Sequence, residues 1–96
     1  MIGFEANTVG FEALTVAGTA VGITAAQRVN ANGAHVQVET ADVRMRSDGT
    51  APTATVGTLL RAGRSYWFAG AQPLTAMQFI RTGSVSATLN IHCFRG

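Results

Sequence analysis

Apolar and polar residues alternate along most of this chain, and a glycine, proline or asparagine usually stands where the alternation stops. A period of two places successive side chains on opposite faces of a strand, so one face is buried and the other wet. The clearest run is Val85 to Phe94, with Val85, Ala87, Leu89, Ile91 and Cys93 on one face and Ser86, Thr88, Asn90 and His92 on the other. So regular a run belongs in the middle of a sheet. Ala34 to Thr40 turns Val36 and Val38 inward and His35, Gln37 and Glu39 outward. Val43 and Met45 demand the opposite phase, which leaves Arg44 and Arg46 on the wet face. The slip across Thr40 to Asp42 predicts a β-bulge or a sheet corner, because one extra residue flips every side chain after it.

The remaining elements follow from the same reading. Phe11 to Val16 predicts a first strand with Leu14 and Val16 on one face, and Ala20 to Ile23 a short second one after a turn at Ala17-Gly18. Ala25 to Arg28 suits a single helical turn, and Asn32-Gly33 is the dipeptide most suited to a tight hairpin. Ser47-Asp48-Gly49 stops the Val43 strand, since Asp bonds its own backbone and Gly tolerates positive φ, and Pro52 removes a ladder donor soon after. Val56 to Leu60 predicts a return strand, Arg61 to Arg64 a turn, and Ser65 to Phe68 a short aromatic strand. Leu74 to Thr82 predicts another strand, with Gly83-Ser84 as a hairpin turn into the last. No helix of three turns finds a place.

Seven or eight short strands, spaced about 8 to 12 residues apart, predict an all-β fold: a single antiparallel β-sandwich, jelly-roll-like. Residues 1–10 read as an N-terminal arm carrying Ile2 and Phe4, or else as an edge strand of the same domain, and residues 11–96 as the sandwich. At 96 residues the chain holds one core, and a domain of that size gains from oligomerisation.

Composition sharpens the picture. Charged residues make up only 12% of the chain, against roughly a quarter in ordinary soluble domains, so much of the surface is Thr, Ser, Ala, Gly and Asn or is covered by a partner. All seven basic residues are Arg, giving a formal charge of +2. That is sparse for a nucleic-acid binder, where each neutralised phosphate takes its own cation, and it suits protein contacts made by planar guanidinium groups. Val9 to Ala26 holds one charge and has Gly18 and Gly22 at GxxxG spacing, but its Thr and Gly content argues against a membrane helix. A single Cys93 rules out an internal disulfide, and Met1 to Gly10 has no basic residue ahead of its apolar ones.

Catalytic or ligand chemistry finds little support. His92 and Cys93 are neighbours, yet on a strand they face opposite ways, which removes them as a base and nucleophile. His35 and His92 could meet across strands, but a zinc site takes three or four ligands. Glu39, Asp42 and Asp48 are fewer carboxylates than calcium loops collect. No cofactor, catalytic or metal-binding residue is assigned, and the chain reads as a non-enzyme. Within Tyr66-Trp67-Phe68, alternation puts Tyr66 and Phe68 on one face and Trp67 on the other, so core and surface each receive an aromatic. Trp67, Phe4, Arg44, Arg46, Asp48 and Pro52 are the candidate protein-interface residues.

Arg44-x-Arg46 running into Asp48-Gly49-Thr50-Ala51-Pro52-Thr53, then Gly57, Leu60, Gly63 and the late Phe79-Ile80-Arg81, resembles small β-sandwich structural proteins of tailed bacteriophage virions. The resemblance covers about Leu14 to Phe94 and leaves the arm outside. It implies a virion component of the capsid decoration (cement) type and carries over no catalytic or ligand residues. The expected partners are the major capsid protein or other virion subunits, the expected state is a homo-oligomer with a trimer favoured, and the expected place is the virion, assembled in the host cytoplasm; no cofactor, nucleic acid or membrane is expected. The alternative is a neck or tail adhesion module binding host glycan through Trp67 or Tyr66.

Overall fold

In the computed structural model, residues 7–96 are described, and they form eight strands with two short helices between them. The elements are β1 (Asn7–Val16), β2 (Val21–Gly22), α1 (Ala25–Arg28), β3 (Gly33–Glu39), β4 (Val43–Arg46) and β5 (Thr58–Leu60). They continue with β6 (Ser65–Ala69), α2 (Ala71–Ala76), β7 (Gln78–Arg81) and β8 (Ala87–Arg95). One sheet has the order β1-β8-β3-β6 and the other β2-β7-β4-β5. Every pairing is antiparallel. Strands 1 and 8, 2 and 7, 3 and 6, and 4 and 5 are hydrogen-bonded partners, which makes the chain one long hairpin rolled over itself. That is the jelly-roll arrangement.

The two inner faces supply the core. Val16, Val36, Val38, Leu89 and Ile91 from the first sheet meet Val43, Leu60 and Phe79 from the second, all at most 1% exposed. These are the inward positions expected from the alternation in β1, β3, β4, β7 and β8, and β8 is central as expected. The phase slip before β4 is a sheet corner: β3 and β4 lie in different sheets, and Thr40 makes the bend at φ 81°. No helix of the described residues is long and apolar enough to cross a membrane.

Several local expectations change. β5 begins only at Thr58 and β8 only at Ala87, so Val56 and Val85 lie outside the strands assigned to them and are exposed. Asn32-Gly33 is no hairpin. Gly33 already belongs to β3, the positive φ falls on Asn30 at 63°, and the Asn32 side chain ties down the C-terminus by donating to the Gly96 carbonyl (3.0 Å) and accepting the Gly96 N–H (3.1 Å). Gly83-Ser84 is no hairpin either, since β7 and β8 sit in opposite sheets and the segment crosses between them. The strand predicted from Leu74 begins only at Gln78. Ahead of it, α2 starts after Gly70 (φ 104°) with Pro73 in its first turn, where a missing N–H costs no helical bond, and it buries Leu74. Finally, β1 begins at Asn7, so residues 7–10 belong to the sandwich. The register slips between Thr8 and Gly10, leaving Val9 as the extra residue of a bulge. Gly10 is required there because a Cβ would stand 2.2 Å from the Gln27 carbonyl oxygen.

Candidate functional site

The outward face of the β1-β8-β3-β6 sheet carries the largest exposed aromatic surface among the described residues. Register aligns Phe11 with His92, His92 with His35, and His35 with Trp67, one residue from each of the four strands. Ring centroids are 4.7 Å apart for Phe11 and His92 and 4.7 Å for His35 and Trp67. Phe94, two residues along β8, lies 5.5 Å from Trp67 and 6.2 Å from His92. Tilted contacts at these separations are favourable for aromatic pairs, so the rings hold one another in place while their outer surfaces stay open. Trp67 is 61% exposed and Phe11 46%.

A polar row runs beside this aromatic one. Ala13, Asn90, Gln37 and Ser65 align in the next outward rung, and the Asn90 amide donates to the Gln37 side-chain oxygen at 3.2 Å. The surface therefore offers apolar area flanked by side-chain amides and a hydroxyl. Tyr66 and Phe68 face the other way and pack on the core, with the Tyr66 hydroxyl accepting the Arg61 backbone N–H at 2.9 Å. Division of the three aromatics between faces follows the alternation. Cys93 is buried, and burial pushes its thiol up, while His92 is exposed on the opposite face, so the two share no contact.

The interface candidates do not gather at one place. Phe4 lies outside the described residues. Trp67 is in the aromatic row, whereas Arg44, Arg46, Asp48 and Pro52 cluster on the other sheet, around the loop 47–57. There each is engaged within the chain. The Arg46 Nε donates to Asp48 Oδ1 at 3.0 Å and a second nitrogen pairs with Oδ2. That charged hydrogen bond holds the Asp48 carboxyl below its ordinary value and raises the guanidinium. Arg44 donates to the Gly57 carbonyl at 3.0 Å, and its Nε is buried without a partner. Pro52 is buried. Glu39 stands on β3, in the opposite sheet from Arg44 and Arg46, so Asp48 is the carboxylate that Arg46 meets. A shallow cavity of about 370 Å³ lies beside this loop, between Arg46, Asp48 and Val56.

Among the described residues, no group of three or more His, Cys, Asp and Glu side chains could hold a metal ion. Asp42 instead accepts the Ala62 N–H at 2.8 Å. Phe11, His35, His92 and Phe94 were not singled out as a surface by the chain pattern. Alternation shows which way each points, but not that β1, β8, β3 and β6 stand side by side. Comparisons with protein families, with curated proteins and with solved structures each return no match.

Proposed function

We propose that this chain is a non-enzymatic virion protein of a tailed bacteriophage that docks on the assembled head and stabilises it, with the outer face of the β1-β8-β3-β6 sheet as its contact. One observation carries this reading: the Phe11–His92–His35–Trp67 row is aromatic along its whole length, held by its own ring contacts, and open at Phe11 and Trp67. Large aromatics in such a setting act as interface anchors, since they desolvate much area while losing few rotamers. Double-sheet jelly rolls recur among viral capsid domains, which is support by analogy of fold. Binding only to the assembled shell, the major capsid protein in its lattice, stabilises that shell by linkage.

A second reading has its own observation. Gln37, Asn90 and Ser65 beside Trp67 supply the hydrogen-bonding groups that a sugar ring stacked on an indole uses, so a neck or tail module for host glycan is the alternative.

Co-sedimentation of the purified chain with heads lacking it separates the two. Saturable binding at a symmetry-related copy number, lost in Trp67→Ala, supports decoration. Failure to bind heads, together with Trp67-dependent retention on a glycan array, would replace it with the adhesion reading.

A further inference from the structure

A sandwich of this kind has four edge strands, and each presents unpaired backbone groups that can recruit a foreign strand. Three are partly covered or too short. On the β1 edge α1 and its approach lie against the strand: the Phe11 N–H donates to the Gln27 side-chain oxygen at 3.1 Å, and the Glu12 carboxylate, a charge on this strand, accepts the Thr24 N–H and hydroxyl at 2.7 and 2.6 Å. β2 has two residues and β5 three. β6 is different: Ser65-Tyr66-Trp67-Phe68-Ala69 has no charge, no proline, high strand propensity and, among the described residues, no bond on its outer side.

The direction of its free groups follows from the ladder. Val38 donates to the Arg64 carbonyl at 2.9 Å and Gly70 donates to the Asn32 carbonyl at 2.8 Å. Antiparallel pairs alternate between bonded and non-bonded, so Tyr66 and Phe68 bond β3. Ser65, Trp67 and Ala69 aim their N–H and C=O groups out of the sheet.

We propose that β6 pairs with β6 of a second copy of this chain, antiparallel about a two-fold axis at Trp67. Trp67 then faces Trp67 of the second copy, and Ser65 faces its Ala69. Every outward N–H of β6 finds an outward C=O, because a segment of odd length with its free groups at the first, third and fifth positions is complementary to itself under a two-fold. Arg64 of each copy lies at opposite ends of the seam, so no like charges meet. Two four-stranded sheets become one of eight, and the two Trp67 side chains form a cross-strand aromatic pair. The aromatic row doubles to a span of roughly 34 Å at the usual strand spacing. The inference stands apart from the head-docking reading and survives its failure.

Amide hydrogen exchange at about 10 µM and about 1 mM, alongside sedimentation, tests the register. The expected result is a dimer at the higher concentration, with the Ser65, Trp67 and Ala69 amides slowed at least about fivefold and those of Tyr66 and Phe68 unchanged. Ser65→Pro deletes an outward N–H without touching the β3 ladder, and Ala69→Lys charges the seam. Each is expected to weaken the dimer at least about tenfold while leaving thermal unfolding of the monomer near that of the parent. A monomer at about 1 mM, or a dimer indifferent to both variants, overturns the proposal.

Discussion

Gly57 shows how much one residue decides around the 47–57 loop. Its φ of 134° is a conformation that side chains rarely adopt, and a Cβ there would stand 3.0 Å from the Met45 carbonyl oxygen and 3.2 Å from Pro52 Cβ. Its own carbonyl takes the Arg44 guanidinium, so backbone strain, packing on Pro52 and the fate of a half-buried charge meet at this position. Gly57→Ala is expected to destabilise the fold by about 1–3 kcal/mol, read as a fall in the urea midpoint with an unchanged slope. Nearby, Asp48 has a carboxyl lowered by its hydrogen bond to Arg46. A lowered native value means that its contribution is present above the ordinary 3.8 and is lost as pH falls through the native value. Asp48→Asn should therefore remove part of the acid dependence of stability below about pH 4 and leave the slope between about pH 5 and 7 alone. An unchanged acid limb in thermal melts would show that the exposed pair contributes nothing measurable, a common result for surface ion pairs.

At the scale of elements, what the sequence revealed was the face each residue takes, and what it concealed was which strands are neighbours. Val36, Val38, Val43, Met45, Phe79, Leu89 and Ile91 are buried where period two puts them, because alternation is a local property of each strand. The α1 turn over Ala25 to Arg28 and the corner at Thr40 were legible for the same reason. Turn chemistry misled at Asn32-Gly33 and Gly83-Ser84, where a hairpin-forming dipeptide stands at a sheet crossing and tertiary pairing overrides it. Leu74 to Met77 misled because apolar residues at Leu74 and Met77 fit one face of a short helix as well as a strand. The aromatic row was hidden by long-range order alone. Its members are separated by up to 81 positions in sequence, from Phe11 to His92, and only the 1-8-3-6 strand order brings them into one rung. The arginines drew attention for their charge, yet Arg44 is spent on Gly57 and Arg46 on Asp48.

For the whole molecule, the nested pairs set an order of assembly. Closing β4 on β5 needs only the loop 47–57, whereas closing β1 on β8 first would tie together ends separated by residues 17–86. Loop-closure entropy grows as the logarithm of length, so the outer pair costs roughly 1.5 kcal/mol more to initiate. Folding is expected to nucleate at the inner end of the long hairpin and to roll outward, on the millisecond-to-second scale usual for sandwiches built from distant pairings. Val43 and Val16 make a matched test: both are fully buried valines, one opposite Leu60 in the β4–β5 pair and one opposite Ala87 in the β1–β8 pair. Each change to alanine should cost about 2 kcal/mol from lost burial and the cavity left behind. Stopped-flow chevrons should divide them. Val43→Ala slows folding, with a φ-value above about 0.5, while Val16→Ala chiefly speeds unfolding, with a φ-value below about 0.3. The reverse ordering would place the nucleus in the outer pair and show that burial across β1 and β8 outweighs the entropy of closing the longer loop.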